Sequence, residues 1–137
     1  MPDVTLADLS RYRLGKAGEM LVTARRDALA GDYASANNRA YYCIFHAMRA
    51  VLAMDGEDYK KHSAVIARFT LNYLKPGILP TEYGKLISNA SLIRNRSDYE
   101  DFYICSIEDT QRLLAGAEDF FHCVKEYLSK RYESAQP

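Results

Sequence analysis

The chain has no excess of charge of either sign: 18 lysines and arginines are balanced by 18 aspartates and glutamates, so its formal net charge is zero. It therefore lacks the overall positive field that draws a protein onto nucleic acid, and any RNA contact must come from a local patch or from a groove shared by two copies. Cysteine is also scarce. An odd number of widely spaced thiols argues against a disulfide framework and favours reduced side chains. The three are Cys43, Cys105 and Cys123.

Long apolar runs and familiar catalytic motifs are missing as well. No stretch approaches the roughly 18 consecutive apolar residues of a membrane span, and the first residues lead directly into a charged helix rather than an apolar leader. We therefore expect a cytoplasmic protein with no membrane partner. A glycine-rich phosphate loop, a G-x-S-x-G elbow and an H-E-x-x-H motif are absent. Cys43 and His46 lack a second pair of similar spacing, so no metal or other cofactor is predicted.

What the chain does have is a helical period of apolar residues, without strand-like alternation of useful length. Its 137 residues and 48% hydrophobic content are ordinary for a globular domain, and we predict one domain over residues 1–137. Because the connections are short, the predicted fold is all-α, an up-and-down antiparallel bundle of four to five helices. Cap and stop signals place the helices at Thr5 to Gly31, Tyr33 to Met54, near Ser63 to Lys75, Pro80 or Thr81 to about Tyr99, and from Ser106 onward.

Helical spacing also predicts which residues of each helix face the core. The second helix has a line of small and apolar residues at spacings of three and four, consisting of Ala36, Ala40, Ile44, Ala47 and Val51. The third helix is expected to bury Ile66, Phe69 and Tyr73. The fifth is expected to bury Ile107, Leu114, Ala117, Phe121, Val124 and Leu128.

Two polar clusters interrupt this apolar pattern. On the second helix, Arg39, Tyr42, His46 and Arg49 follow spacings of three, four and three, and therefore share one stripe. They form either a polar face that lines a ligand cleft or subunit interface, or a set of half-buried rings with solvent-facing arginines.

The second cluster, residues 94–99, lies at the end of the fourth helix and contains two arginines. Two guanidinium groups can hold a phosphate bidentately, with Asp98 orienting one of them. Alternatively, these arginines complement the helix macrodipole and reach the last carbonyls. A further basic step, Lys60-Lys61-His62-Ser63, leads into the third helix, whose N-terminus can receive an anion; the alternative is a solvated loop.

Taken in order, residues 36–46, Lys61-His62-Ser63 and residues 94–99 resemble the HEPN domains, which are small all-helical proteins. The resemblance covers most of the chain and is nearest to an uncharacterised prokaryotic branch whose signature ends in Arg, a short gap and Asp-Tyr. It implies a bundle that dimerises, so that the motifs of both copies meet in one cleft. It also implies a minimal nucleotidyltransferase partner within a toxin–antitoxin or defence module.

Active HEPN proteins are metal-independent ribonucleases with an Arg-x4–6-His motif, in which His assists proton transfer and Arg stabilises phosphoryl charge. Here Arg94 and Asn95 match the start of that motif, but residues 99–101 are Tyr, Glu and Asp where the histidine is expected. The catalytic candidates are therefore Arg94 with His62 or His46 from another helix. Tyr99 stands near the tyrosine that the nucleotidyltransferase partner of related modules is thought to modify.

Three hypotheses follow for the function. The leading one is a nucleotide- or RNA-binding component that forms a homodimer, works with a minimal nucleotidyltransferase and holds a phosphate with Arg94 and Arg96. The second is a metal-independent endoribonuclease that uses Arg94 and a relocated histidine. The third is a helical-bundle dimer whose polar residues only set the interface. The expected binding residues are Arg39, Tyr42, His46, His62, Arg94, Asn95, Arg96, Asp98 and Tyr99.

Overall fold

Helices fill most of residues 4–135, the part of the chain that the computed structural model describes, and no strand occurs in that range. The elements are α1 (Leu6–Leu29), α2 (Tyr33–Met54), α3 (His62–Phe69), a π-helical turn (Thr70–Leu74), α4 (Tyr83–Tyr99) and α5 (Ile107–Ser134). The predicted all-α bundle is confirmed. α2 is its central helix, since it packs against α1, α3, α4 and α5. Within residues 4–135 no helix is both long and apolar enough to cross a bilayer.

The predicted caps fix where α1 and α2 begin. The Thr5 hydroxyl accepts a hydrogen bond from the Asp8 amide at 3.0 Å, and the Asp8 carboxylate accepts one from the Thr5 amide at 3.2 Å. These bonds also lower the pKa of Asp8. Between the two helices, Gly31 adopts a φ of +82°, a conformation that other residues rarely take. The Asp32 carboxylate then caps α2 by accepting from the Ser35 amide at 3.2 Å.

The small residues of α2 allow its neighbours to approach closely. The predicted line of Ala36, Ala40, Ile44, Ala47 and Val51 is completely buried, which confirms that face. Other residues of α2 are buried too, because helices pack on several sides of it. As a result, its larger polar side chains emerge along a single edge, and this edge carries the site described below.

The predicted faces of α3 and α5 are wrong in part. In α5, Leu113 and Phe120 are buried, whereas Leu114 and Phe121 are only partly covered and Ile107 is exposed. The adjacent pairs Leu113-Leu114 and Phe120-Phe121 offer two almost equivalent registers, and only packing against the other helices selects one of them.

The face of α3 also differs from the prediction by its register. Val65 takes the buried position and Ile66 is only partly buried, although Phe69 and Tyr73 are buried as predicted.

The start of α4 differs from the prediction because of a turn. The helix begins at Tyr83 rather than at Pro80 or Thr81, because residues 80–82 form tight turns, with the Tyr83 amide donating to the Pro80 carbonyl at 3.2 Å.

The π-helical turn after α3 is held by a polar network that the sequence did not predict. The Tyr73 hydroxyl donates to Asp55 and accepts from Arg131 Nη1 at 2.7 Å. Arg131 Nη2 in turn donates to Asp55 Oδ1 at 2.6 Å. Burial and the Asp55 carboxylate raise the pKa of Tyr73, so this hydroxyl keeps its proton. The network ties the end of α2 to α5 and closes the bundle at that end.

Candidate functional site

Arg94, near the end of α4, is held in one orientation by three neighbours. Its Nη2 donates to the Tyr42 hydroxyl at 3.1 Å, its Nη1 donates to Asn95 Oδ1 at 3.1 Å, and its Nε lies 3.2 Å from Asp98 Oδ2. Only 17% of the side chain is exposed. A guanidinium has five N–H donors. Within residues 4–135, one N–H of Nη1 and one of Nη2 are hydrogen-bonded, and the buried Nε makes no hydrogen bond despite its closeness to Asp98. One N–H on each terminal nitrogen is therefore left for a ligand.

Asp98 connects this arginine to the central helix. Its Oδ2 accepts from Asn38 Nδ2 at 3.0 Å, and Asn38 Oδ1 accepts from Arg39 Nη1 at 2.6 Å. Arg39 therefore reaches the site through Asn38 rather than directly. The chain of contacts links α4 to α2 and places the Asp98 carboxylate between Arg94 and Asn38.

A pair of tyrosines on α2 brings Arg94 and His62 together. The Arg94 Cζ lies 5.3 Å from the ring centre of Tyr41 and 5.4 Å from that of Tyr42, both within the range of cation–π attraction. The His62 ring lies 5.7 Å from each of the same two rings. His62 also stacks on Phe45 at 4.1 Å, and its Nδ1 is 2.9 Å from the Tyr41 hydroxyl. A histidine distant in sequence thus adjoins the motif arginine.

The surroundings of His62 favour its neutral form. Burial lowers its pKa below the usual 6.5, and the nearby Arg94 and Arg49 lower it further. Burial raises the pKa of Tyr41 to about 12, so its hydroxyl stays protonated at neutral pH. If Tyr41 donates to Nδ1, then Nε2 of His62 carries the proton; if Nδ1 donates to Tyr41, then Nε2 is a proton acceptor. The ring can therefore give or take a proton on its other side.

The predicted stripe on α2 divides between two places. Tyr42 contacts Arg94, whereas His46 and Arg49 turn towards α1. The His46 ring is still 5.9 Å from that of Tyr42, so the two places adjoin. Burial lowers the pKa of His46, and the charges of Arg49, Lys16, Arg13 and His62 lower it further.

Arg96 does not join Arg94. Its Nε is 3.8 Å from Glu100 Oε1, and its Cζ is 5.8 Å from the ring centre of Tyr103. Within one protomer the two guanidinium groups therefore contact different neighbours, as expected for residues two apart on a helix, and their joint hold on a phosphate stays a prediction. Tyr99, in contrast, lies beside the site: its ring centre is 5.9 Å from the Arg94 Cζ, and 74% of the residue is exposed.

Comparison with known proteins identifies the family. A family model described as the HEPN domain matches residues 10–127. The chain belongs to the HEPN family. A Methanocaldococcus jannaschii protein provisionally named as a toxin is 32% identical over 98 residues, which cover 72% of this chain and 72% of that protein. A UPF0332 protein of Archaeoglobus fulgidus is 30% identical over 123 residues, or 90% of this chain and 98% of that protein.

Sequence reasoning missed three residues of this HEPN site, namely Asn38, Tyr41 and Phe45. Asn38 lies four residues before Tyr42, a residue of the predicted stripe, so helical spacing places the two side by side. Tyr41 lies four residues before Phe45, and Phe45 four before Arg49, so this second line also runs beside the stripe. Tyr41 and Phe45 look like core residues and are indeed buried. Their role depends on His62, whose position against them is set by the packing of α3 on α2.

Proposed function

We propose that this chain is the RNA- or nucleotide-binding component of a toxin–antitoxin-type module, and that Arg94 holds a phosphate group of the ligand. Membership of the HEPN family supports this function, as do the relatives from Methanocaldococcus jannaschii that are provisionally named as toxins. The observation that carries the proposal is the setting of Arg94, a largely buried guanidinium that keeps one N–H on each terminal nitrogen.

Such a setting suits a phosphate for two reasons. Parallel N–H groups of one guanidinium can bind two phosphate oxygens, and these charge-assisted bonds are stronger than neutral ones. In addition, Tyr42, Asn95 and Asp98 already fix the side chain, so little of its conformational entropy is left to lose on binding. The exposed ring of Tyr99 beside Arg94 offers a surface on which a neighbouring base can stack.

Replacement of Arg94 by alanine is expected to weaken binding of single-stranded RNA about 10- to 100-fold, the loss expected when hydrogen bonds to a charged group are removed. Fluorescence anisotropy of a labelled oligoribonucleotide at fixed salt concentration measures this affinity. Arg96→Ala is the matched control, because it removes the same charge from the same helix but on the other side.

The control separates a specific site from general electrostatic attraction. We expect Arg96→Ala to change the affinity by less than a few-fold. Equal losses in the two variants would contradict a site at Arg94. Unchanged RNA binding in Arg94→Ala, together with a weaker dimer in sedimentation analysis, would instead support the hypothesis of a structural bundle dimer.

The same geometry favours a second candidate function, metal-independent RNA cleavage with His62 as the relocated histidine. Its specific support is that Arg94 and His62 contact the same tyrosine pair. In this reaction the 2′ oxygen of RNA bonds to the adjacent phosphorus, and its proton passes to Nε2 of neutral His62. The bond from phosphorus to the 5′ oxygen breaks, and that oxygen takes a proton from solvent. Arg94 stabilises the negative charge that develops on the phosphoryl oxygens.

We further propose that the chain forms a homodimer and binds a minimal nucleotidyltransferase, with Tyr99 as the acceptor of modification. Four large apolar side chains between the end of α4 and the start of α5 are exposed, and such exposure supports an interaction in this part of the chain. They are Tyr99, Phe102, Ile104 and Ile107. On co-expression with the product of the adjacent gene, the two proteins are expected to elute together under native conditions, and the protein alone is expected to sediment as a dimer. Separate elution would contradict the complex, and a monomer in sedimentation would contradict the homodimer.

A further inference from the structure

A second group of cationic side chains surrounds a cavity of about 430 Å³ between α1 and α2. Arg13 and Lys16 contribute from α1, and His46 and Arg49 from α2, with the ring of Tyr12 at the edge. None of these residues contacts Arg94 directly within the described range, so the cavity is a separate feature of the surface.

The carboxylates around this cavity do not balance its cations. Asp58 serves both arginines: its Oδ1 lies 3.2 Å from Arg13 Nη2 and 2.9 Å from Arg49 Nη2. The Lys16 Nζ lies 3.8 Å from Glu19 Oε2, a long contact, and 5.6 Å from the ring centre of Tyr12, so no carboxylate is close to its charge. Like charges crowded in a partly enclosed space raise the free energy of the site, and a bound anion relieves that repulsion.

One donor of this cavity lacks a partner. The Nε of Arg49 is buried and makes no hydrogen bond within residues 4–135. Arg13, in contrast, is only 7% exposed and is partnered: its Nη1 donates to the Arg49 carbonyl at 3.3 Å, and Asp58 offsets part of the fall in its pKa that burial and Arg49 cause. A buried donor without a partner is uncommon in folded proteins, and a bound ligand is one way to satisfy it.

Aromatic rings connect this cavity to Arg94. The Arg49 Cζ lies 5.9 Å from the ring centre of Phe45, and Phe45 stacks on His62 at 4.1 Å. The His46 ring is 5.9 Å from that of Tyr42, which bonds to Arg94. Phe45 is buried, so only the partly exposed rings of Tyr42, His46 and His62 can meet a ligand between the two cationic places. Cations at both ends with such rings between them match a single strand, whose phosphates alternate with bases that stack on aromatic side chains.

We propose that the cavity of Arg13, Lys16, His46 and Arg49 binds a second phosphate of the same RNA strand whose other phosphate lies at Arg94. This inference rests on the proposed function and adds to it the substrate class. The ligand is a single-stranded oligoribonucleotide that spans both positions, since the one phosphate group of a nucleoside monophosphate cannot occupy the two sites together. The exposed ring of Tyr12 offers a further stacking surface at the far end.

Lys16→Gln tests the inference, because this side chain is partly exposed and glutamine keeps much of its length, so the fold is expected to be retained. It is expected to weaken binding of an oligoribonucleotide several-fold and to lower the slope of log affinity against log salt concentration by about 0.7, the value for one lost phosphate contact on a single strand. Binding of a nucleoside 3′-monophosphate at Arg94 is expected to stay unchanged. Lys130→Gln is the matched control, because Lys130 is also an exposed lysine paired with a glutamate, on α5.

The outcomes distinguish this inference from the proposed function. Equal oligoribonucleotide affinities and salt slopes for Lys16→Gln and Lys130→Gln would overturn the second phosphate site, even if Arg94→Ala abolishes binding of the monophosphate. Weaker oligoribonucleotide binding in Lys16→Gln with no effect of Arg94→Ala on either ligand would instead support an anion site at the cavity and overturn the site at Arg94. Both sites are supported if the oligoribonucleotide binds more weakly to Lys16→Gln and to Arg94→Ala, while the monophosphate binds more weakly to Arg94→Ala alone.

Discussion

Replacing His62 by glutamine is expected to lower the rate of metal-independent RNA cleavage about 10²- to 10⁴-fold, the usual contribution of a positioned acid or base. Glutamine can still hydrogen-bond to the Tyr41 hydroxyl, so the local structure should be kept, but it cannot exchange a proton near neutral pH. RNA binding should therefore stay within a few-fold of the wild type. Initial rates on end-labelled RNA in the presence of a chelator measure the effect.

The pH dependence of the rate gives a second readout. A general base acts in its neutral form, and the folded pKa of His62 is lowered by burial, Arg94 and Arg49. The rate is therefore expected to rise with pH as His62 loses its proton, with a midpoint below 6.5, the usual pKa of histidine, and to reach a plateau once the ring is neutral. His122→Gln is the control, since His122 is an exposed histidine on α5 whose Nε2 lies 3.8 Å from Glu118. Equal rates in the two variants would assign proton transfer to another group, and intact RNA with the wild type would leave binding as the function.

Replacing Phe120 by alanine is expected to reduce the free energy of unfolding by about 3–5 kcal/mol, a large part of the stability of a domain of this size. Phe120 is completely buried on α5, where its ring meets Phe69 at 5.7 Å and Tyr83 at 5.0 Å, both edge to face. The substitution removes these contacts and leaves a cavity among α3, α4 and α5. Equilibrium unfolding in urea, followed by circular dichroism, measures the change.

Leu29→Ala is the control for this stability prediction. Leu29 is 91% exposed at the end of α1, so its truncation is expected to change the free energy of unfolding by less than about 0.5 kcal/mol. A loss below about 1 kcal/mol for Phe120→Ala, or equal losses for the two variants, would mean that α5 does not pack in the described register.

Sequence periodicity predicts those parts of the bundle for which one face is clearly the most apolar. The line of Ala36, Ala40, Ile44, Ala47 and Val51 in α2 is such a case, because small and apolar residues repeat there at spacings of three and four without interruption. Periodicity fails in α5, where Leu113 and Leu114 are equally good core residues, and the choice depends on contacts with other helices. The π-helical turn was also missed, since its network joins Tyr73 to Asp55 and Arg131 from distant parts of the chain.

In the candidate site, too, contacts within one helix can be predicted from the sequence, whereas contacts between helices cannot. Arg94 and Asp98 are four residues apart on one helix, so spacing predicts their contact, and helix geometry likewise separates Arg96 from Arg94. The position of His62 depends instead on how α3 packs against α2. The spacing of residues within one helix does not predict a contact between two helices. That His62 and Arg94 contact the same two tyrosines is therefore known only from the structure.

The bond between Arg94 and Tyr42 has a consequence for the order of synthesis. Tyr42 leaves the ribosome well before Arg94, and the guanidinium reaches its oriented state only after α4 has docked on α2. A nascent chain that ends before α4 therefore carries the tyrosine pair and His62 but lacks Arg94, the centre of the proposed phosphate site. On the proposed function, this late docking delays RNA binding until most of the protein has been made, although ribosomal and messenger RNA surround the polypeptide during translation.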